Sequence, residues 1–246
     1  MNPLKHGILF LFVPLLALFF SCSARIDGVV REGGAADLTL STSLEPRTQT
    51  LISSLRDFMG GAANGPILDG PAMASSMAAA PGVKAVSLKN TGPSALEGTI
   101  SISDVGNFLS AETANSSSPD GVRFISYTEG RTAGTSSITI TLNRDSAPDL
   151  VSRLSPEVND YLSALMAPAV TGDICSSKEY LDLVASVYGR PLADEINTAR
   201  IRASVEFPRP VSAVRGGNAA GKRVDFEVPL VDILVLEQPL LYTVSW

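Results

Sequence analysis

Segments in which apolar and polar residues alternate recur along the chain, and most come in pairs separated by a glycine-bearing turn. Ala36-Asp37-Leu38-Thr39-Leu40-Ser41-Thr42-Ser43-Leu44 follows a period of two, which fits a half-buried strand and no helix. Ala24 to Val30 precedes it across Gly33-Gly34, so the two read as a hairpin. Val83 to Lys89 and Leu96 to Ile102 form a second pair around Thr91-Gly92-Pro93, with Leu96, Gly98, Ile100 and Ile102 on one face. Val122 to Tyr127 and Ser137 to Leu142 form a third. Ile201 to Phe207 alternates at every position, and Val211 and Val214 extend it past Pro208-Arg209-Pro210. Arg215 to Gly221 reads as a glycine-rich turn and Val224 to Val228 as its return strand. Asp232 to Trp246 is a long apolar segment that reads as one or two strands, broken or edged at Pro239.

Between these strands the period changes to that of a helix. Glu45-Pro46 opens one with Leu51, Ile52, Leu55, Phe58 and Met59 on a single face. Asp69 caps an alanine-rich second helix that runs to Ala80, and Asp104 to Leu109 has the length of one turn. A short helix is expected from Asp145 to Leu154. Ser155-Pro156 starts the cleanest amphipathic helix, with Val158, Tyr161, Leu162, Leu165 and Met166 aligned. Ser177 caps the next, with Tyr180, Leu181, Val184, Val187 and Tyr188 on one side, and Pro191 opens a last one through Leu192, Ile196 and Ala199. Hairpins outnumber crossovers. The expected class is α+β, a largely antiparallel sheet packed with amphipathic helices. No repeat or separating linker divides residues 22–246, which are expected to form a single domain after residues 1–21.

Residues 1–21 have the organisation of an export signal: a basic start at Lys5, then the apolar run Ile8 to Phe20. The run is short for a membrane span, and Pro14 interrupts it. Phe19-Phe20-Ser21-Cys22 resembles the lipobox of bacterial lipoproteins, in a relaxed form like that of spirochaetal lipoproteins, with Phe19 where Leu is common. The resemblance implies that Cys22 is lipid-modified, as by palmitate, and becomes the N-terminus of an envelope protein. Ser23 stands where an aspartate retains many such proteins in the inner membrane, which favours the outer membrane or the cell surface.

Cysteine and histidine usage narrows the chemistry. Cys22 and Cys175 are the two cysteines, and His6 is the one histidine. A lipid on Cys22 leaves no partner for a disulfide, and Cys175 reads as a small, partly buried residue rather than a reactive thiol. Once the signal is removed, neither histidine-dependent nucleophilic catalysis nor a His-ligated zinc or iron site is available. No cofactor is expected beyond the covalent lipid. The net charge is −6, without a basic stripe, so nucleic acid is not an expected partner.

Four patterns each have a plainer alternative. Gly216-Gly217-Asn218-Ala219-Ala220-Gly221-Lys222 has part of a phosphate-loop spacing, but Arg223 replaces the magnesium-holding hydroxyl and a strand follows, so a hairpin turn fits better. The helices at 156–166 and 178–188 could form a ligand-facing pair lined by Tyr161, Met166, Tyr180 and Tyr188; otherwise they simply cover the sheet. Glu157, Asp160, Asp182, Asp194 and Glu195 could hold a hydrolytic carboxylate pair, but their positions fit a solvated face. Leu240, Tyr242, Val244 and Trp246 resemble the end of an outer-membrane barrel strand, yet helices interrupt the chain.

Gly33-Gly34, Leu38 to Leu44, Phe207-Pro208-Arg209-Pro210-Val211 and Gly216-Gly217 are similar to the corresponding features of LppM-type lipoproteins. That family pairs an early Gly-turned hairpin with a late strand ending in a Pro-x-Val step, and the likeness covers both ends of the chain. It implies binding of envelope lipids or glycolipids; it assigns no residues. The expected function is that of a non-enzymatic, membrane-anchored envelope lipoprotein that binds a lipid-like ligand. The alternatives are a structural or assembly lipoprotein with an envelope protein as partner, and a carboxylate-dependent hydrolase.

Overall fold

The computed structural model describes residues 23–58, 66–113, 125–130, 132, 135–147 and 156–246. Residues 1–21, expected as an export signal, Cys22, Val122 to Phe124 and most of the expected helix at 145–154 lie outside them.

The chain begins with β1 (Ser23–Val30) and β2 (Ala36–Ser43), a hairpin that pairs Val30 with Ala36. Helices α1 (Pro46–Phe58) and α2 (Gly70–Ala78) follow, then β3 (Val83–Gly92), β4 (Ala95–Ile102), α3 (Val105–Thr113), β5 (Ile125–Thr128) and β6 (Ser137–Leu142). A run of helices comes next: α4 (Pro156–Ala164), α5 (Pro168–Thr171), α6 (Ser177–Tyr188) and α7 (Arg190–Thr198). The last part is β7 (Arg200–Glu206), β8 (Ala213–Arg215), β9 (Gly217–Ala220), β10 (Arg223–Pro229), α8 (Leu230–Val235) and β11 (Leu240–Ser245). The fold is α+β, with largely antiparallel strands and amphipathic helices packed on them.

The strands form two sheets rather than one. Seven run in the order β3-β4-β2-β1-β7-β10-β9, and four in the order β5-β6-β11-β8. The β1–β7 pair is parallel and the other described pairs are antiparallel. A parallel pair needs a long crossover; here it takes in everything from β2 to α7. The chain leaves the second sheet at β8 and enters the first at β9 through Gly216, whose φ is +78. A Cβ there would lie 2.6 Å from the Tyr242 ring, so only glycine fits this corner.

Alternation decides the two faces of the seven-stranded sheet. Arg25, Asp27, Arg202, Arg223, Asp225 and Glu227 stand on its outer face, where Arg25 pairs with Asp27 at 2.7 Å and Arg202 with Glu227 at 2.8 Å. Such exposed pairs add little stability each. They do make a one-residue slip costly, because it would turn these charges inward. The inner face has two coverings. Over β2, β3 and β4, Leu40, Leu88, Leu96 and Ile100 pack with Met77 of α2. At the end where β1 and β7 begin, Ala24 and Ile201 join Tyr180, Val184, Leu192, Ile196, Leu234 and Val235 of the helical layer. The second sheet faces β1, β7 and β10.

Three sequence readings need correction. The segment expected to be strand from Asp232 begins instead as α8, with all its residues but Asp232 buried. An unbroken apolar run carries no period, so its burial among helices decided its form. The glycine-rich turn at 215–221 is mostly strand: β9 pairs with β10, Ala220 opposite Arg223, which leaves a tight turn at Gly221-Lys222. The cap of α6 is Ser176, one residue earlier than expected. Its hydroxyl accepts from Glu179 N while the Glu179 carboxylate accepts from Ser176 N, a complete capping box. Asp69 caps α2 as expected, accepting from Ala72 N at 3.0 Å.

Candidate functional site

An apolar cavity of about 290 Å³ lies between the two sheets. Its floor is the inner face of the large sheet, including Ile26, Leu38, Ala203, Val205, Phe226 and Val228. Its roof is the facing side of the small sheet, including Ile125, Ile138, Ile140, Leu240 and Tyr242. These are mid-strand, inward-pointing residues, the ones a closed sandwich buries most completely. Here each is only half-buried. One end is closed by Phe207 and by Val105, Phe108 and Leu109 of α3; Leu142, Ile201 and Ile233 of α8 line the other. The Tyr242 hydroxyl is the one side-chain heteroatom among the described lining residues, and burial pushes that phenol's pKa above its ordinary value.

Strand register explains the gap. Ala203 lies across the sheet between Ile26 and Phe226, and Gly28 lies between Leu38 and Val205. Small residues at these two inward positions leave the middle of the floor low. Leu38 leans over the glycine, since a Cβ on Gly28 would come 2.8 Å from Leu38 Cδ2. Beyond Phe207 the space is filled by the Trp246 ring, whose centroid lies 4.5 Å from that of Phe207 and 6.3 Å from that of Tyr127.

A polar hollow of about 520 Å³ sits beyond that aromatic end, lined by Glu32, Gly33, Glu129, Gly130 and Arg209. Arg209 Nη2 donates to Gly130 O at 3.1 Å and to Ser136 Oγ at 3.4 Å. The Ser136 and Trp246 backbones exchange hydrogen bonds of 3.0 and 3.3 Å, which ties the hollow to the aromatic cluster. The Tyr127 phenol is shifted upward by burial first, then by Glu129 and Asp104, with Arg209 opposing.

The four side chains singled out in sequence are not among the cavity's lining residues. Tyr161 and Tyr180 are buried in the helical layer, and Tyr180 OH donates to Leu165 O at 3.3 Å. Burial pushes the Tyr180 phenol far above its usual range. Tyr188 OH donates to Ala164 O at 2.5 Å, and Met166 is half-buried at a φ of 51. The two tyrosine hydroxyls thus tie α6 to the end of α4. On α6, Val187 faces solvent, 53% exposed, with Leu183 at 42%.

The carboxylates also separate. Asp182 pairs with Lys178 at 2.7 Å and reaches Arg190 at 3.8 Å. Glu195 accepts from Arg47 N and Thr48 N, both at 3.0 Å, and from Thr48 Oγ1 at 3.2 Å, so it caps α1 from a distant helix. Asp160 and Asp194 are exposed, and the Glu157 side chain lies outside the described residues. Cys175 is a free, half-buried thiol whose pKa is raised by burial and by Glu179. The backbone of 217–220 is paired as strand, so it cannot curl around a phosphate. Among the described residues no group of three or more His, Cys, Asp and Glu is placed to hold a metal ion, and no helix is long and apolar enough to cross a membrane.

Sequence reasoning missed the cavity. It gave the alternation of Ala36 to Leu44 and Ile201 to Phe207, which carry several lining residues, but did not reveal that two such faces oppose each other across a gap. The available signal was the small residue at Gly28 and Ala203 within otherwise bulky inward rows.

The chain matches no family model and no curated protein sequence. Among solved structures it is similar to the folded domain of LppM from Mycobacterium tuberculosis, determined by NMR, at 10% sequence identity and a TM-score of 0.40, over 91% of this chain and 87% of that one.

Proposed function

We propose that this chain is a non-enzymatic envelope lipoprotein, held to a membrane outside the cytoplasm by a lipid on Cys22, and that its domain binds a lipid-like ligand between the sheets. The supporting observation is the cavity. An apolar space of about 290 Å³ left unfilled forfeits the packing contacts of its lining, which is unfavourable. Water is a poor occupant, because an apolar cavity gives it no hydrogen-bond partners. An acyl or isoprenoid chain fills it and removes the cost. The volume sits at the lower edge of ligand pockets, ~300–1,000 Å³, which suits one chain rather than a two-chain lipid in full.

Native mass spectrometry of the protein purified from bacterial membranes, with organic extraction, tests this. A stoichiometric non-covalent lipid supports the reading; a bare mass at every collision energy defeats it. One observation favours a second reading, an assembly role. Leu183 and Val187, one turn apart on α6, are 42% and 53% exposed, and Ile174 before the helix is 87% exposed, apolar surface that suits a protein partner.

A further inference from the structure

We propose that the cavity selects its ligand through hydrocarbon alone: it takes the free end of one unsubstituted chain, leaves the head group outside, and rejects chains that carry oxygen along the inserted length. The inference rests on the reading of the cavity as a lipid site and states what that site selects.

The wall supplies no polar contact. Among the described lining residues none is charged, and Tyr242 alone has a side-chain heteroatom. Its ring stands edge-on to Phe226, with centroids 5.9 Å apart and planes at 82°, and lies against Gly216, where a Cβ would come 2.6 Å from Tyr242 Cδ1. Pinned there, the ring turns carbon toward the space, and its hydroxyl adds almost nothing to the cavity surface. The main chain offers no contact either. Strands β1, β7 and β10 of the floor and β6 and β11 of the roof each have a neighbour on both sides, so the ladders take up their N–H and C=O groups.

Ligand pockets ordinarily combine an apolar lining with a few placed polar groups that fix orientation and confer specificity. This lining lacks them. A hydroxyl, a carbonyl or a charge brought inside gives up its hydrogen bonds to water and gains none from the wall. The penalty attaches to position, and two rules follow from it. A head group of any charge stays out, so the chain enters by its apolar end. An oxygen close to the head also stays out and costs nothing, whereas the same oxygen midway along the chain or near its free end is buried without a partner. Shape makes the remaining selection, since Gly28 and Ala203 leave the floor low at its middle and Phe207 and Phe108 close one end.

The test uses the full chain held in amphipol, with a fatty alcohol brominated along its chain as the reference probe. Trp246 is the sole tryptophan and packs on Phe207, a lining residue, so bromine quenching reports occupancy. Unlabelled competitors of one chain length then displace the probe. The first set varies the head: fatty alcohol, fatty acid, lysophosphatidylcholine and lysophosphatidylglycerol. These are expected to bind within about threefold of one another, because no charged wall group distinguishes them. The second set is three isomers of a hydroxy fatty acid, with the hydroxyl beside the carboxyl, midway, or next to the terminal methyl. The first isomer is expected to match the plain acid and the other two to bind at least about tenfold more weakly. Ala203→Leu is expected to weaken every ligand of both sets. A head-group preference of about tenfold or more, or equal binding of the three isomers, overturns the hydrocarbon rule while the cavity reading stands. No quenching by the reference probe, or quenching unchanged in Ala203→Leu, overturns both.

Discussion

Ala203→Leu is the sharpest perturbation of the cavity. Ala203 is half-buried on the floor, between Ile26 and Phe226, with the Ile140 and Tyr242 side of the small sheet across the gap. Leucine adds three carbons, worth up to about 2.4 kcal/mol at ~0.8 per buried methylene. Fixing the leucine rotamer costs about 0.5–1 kcal/mol. The net expectation is a gain of about 1.5 kcal/mol, or a rise of roughly 3–6 °C in Tm at ~2–4 °C per kcal/mol for a chain of this size. The same side chain occupies the space that the ligand's chain requires, so lipid binding should fall as stability rises. Thermal unfolding followed by circular dichroism, with lipid extraction of the same preparations, measures both. In a tightly packed interior the substitution would overpack and destabilise by about 1–3 kcal/mol. That result, or a stabilised protein that still carries its full complement of lipid, would refute the reasoning.

Other outcomes follow from single contacts. Glu195→Ala should cost about 2 kcal/mol in chemical denaturation, because two backbone N–H groups at the start of α1 lose their acceptor. Burial raises the Asp232 pKa, with Arg200 opposing, so the folded state holds this proton more tightly than the unfolded one and wild-type stability falls as pH rises through the raised value. Asp232→Asn should therefore gain on wild type at pH 7, with the gain vanishing as pH drops towards ~3.9; a pH-independent difference contradicts this. Cys175 should react with thiol reagents more slowly than free cysteine at neutral pH, since burial and Glu179 disfavour the thiolate. Cys22→Ala should abolish palmitate labelling and membrane retention; labelling that survives removes the anchor.

The strands were legible because one side of the large sheet is wet. Arg25, Asp27, Arg202, Ser204 and Glu206 mark the outward positions of β1 and β7, and that alternation needs no knowledge of partners. Helices α1, α6 and α7 were legible from apolar spacing and their Pro or Ser starts. The form of 230–236 was not, since Leu230-Val231-Asp232-Ile233-Leu234-Val235-Leu236 suits a buried strand or a buried helix equally, and tertiary burial chose the helix. The division into two sheets was hidden for a different reason. One step of it lies at Gly216, whose left-handed conformation sends β8 and β9 into different sheets, whereas glycine runs ordinarily signal a simple turn. Tyr161, Met166, Tyr180 and Tyr188 drew attention as large side chains on good helices. Tyr161, Tyr180 and Tyr188 pack in the helical layer, and the space lies where side chains are small, which a search for conspicuous residues passes over.

The most direct measurement is photo-crosslinking with a lysophospholipid carrying a diazirine midway along its acyl chain, followed by peptide mapping. Adducts on the inward residues of the two sheets, Ile26, Ala203, Phe226, Ile140 and Tyr242 among them, are the result this account predicts. Adducts confined to Ile174, Leu183 and Val187 on the outside of the helical layer would contradict it, and would mark the exposed patch as the surface that meets lipid.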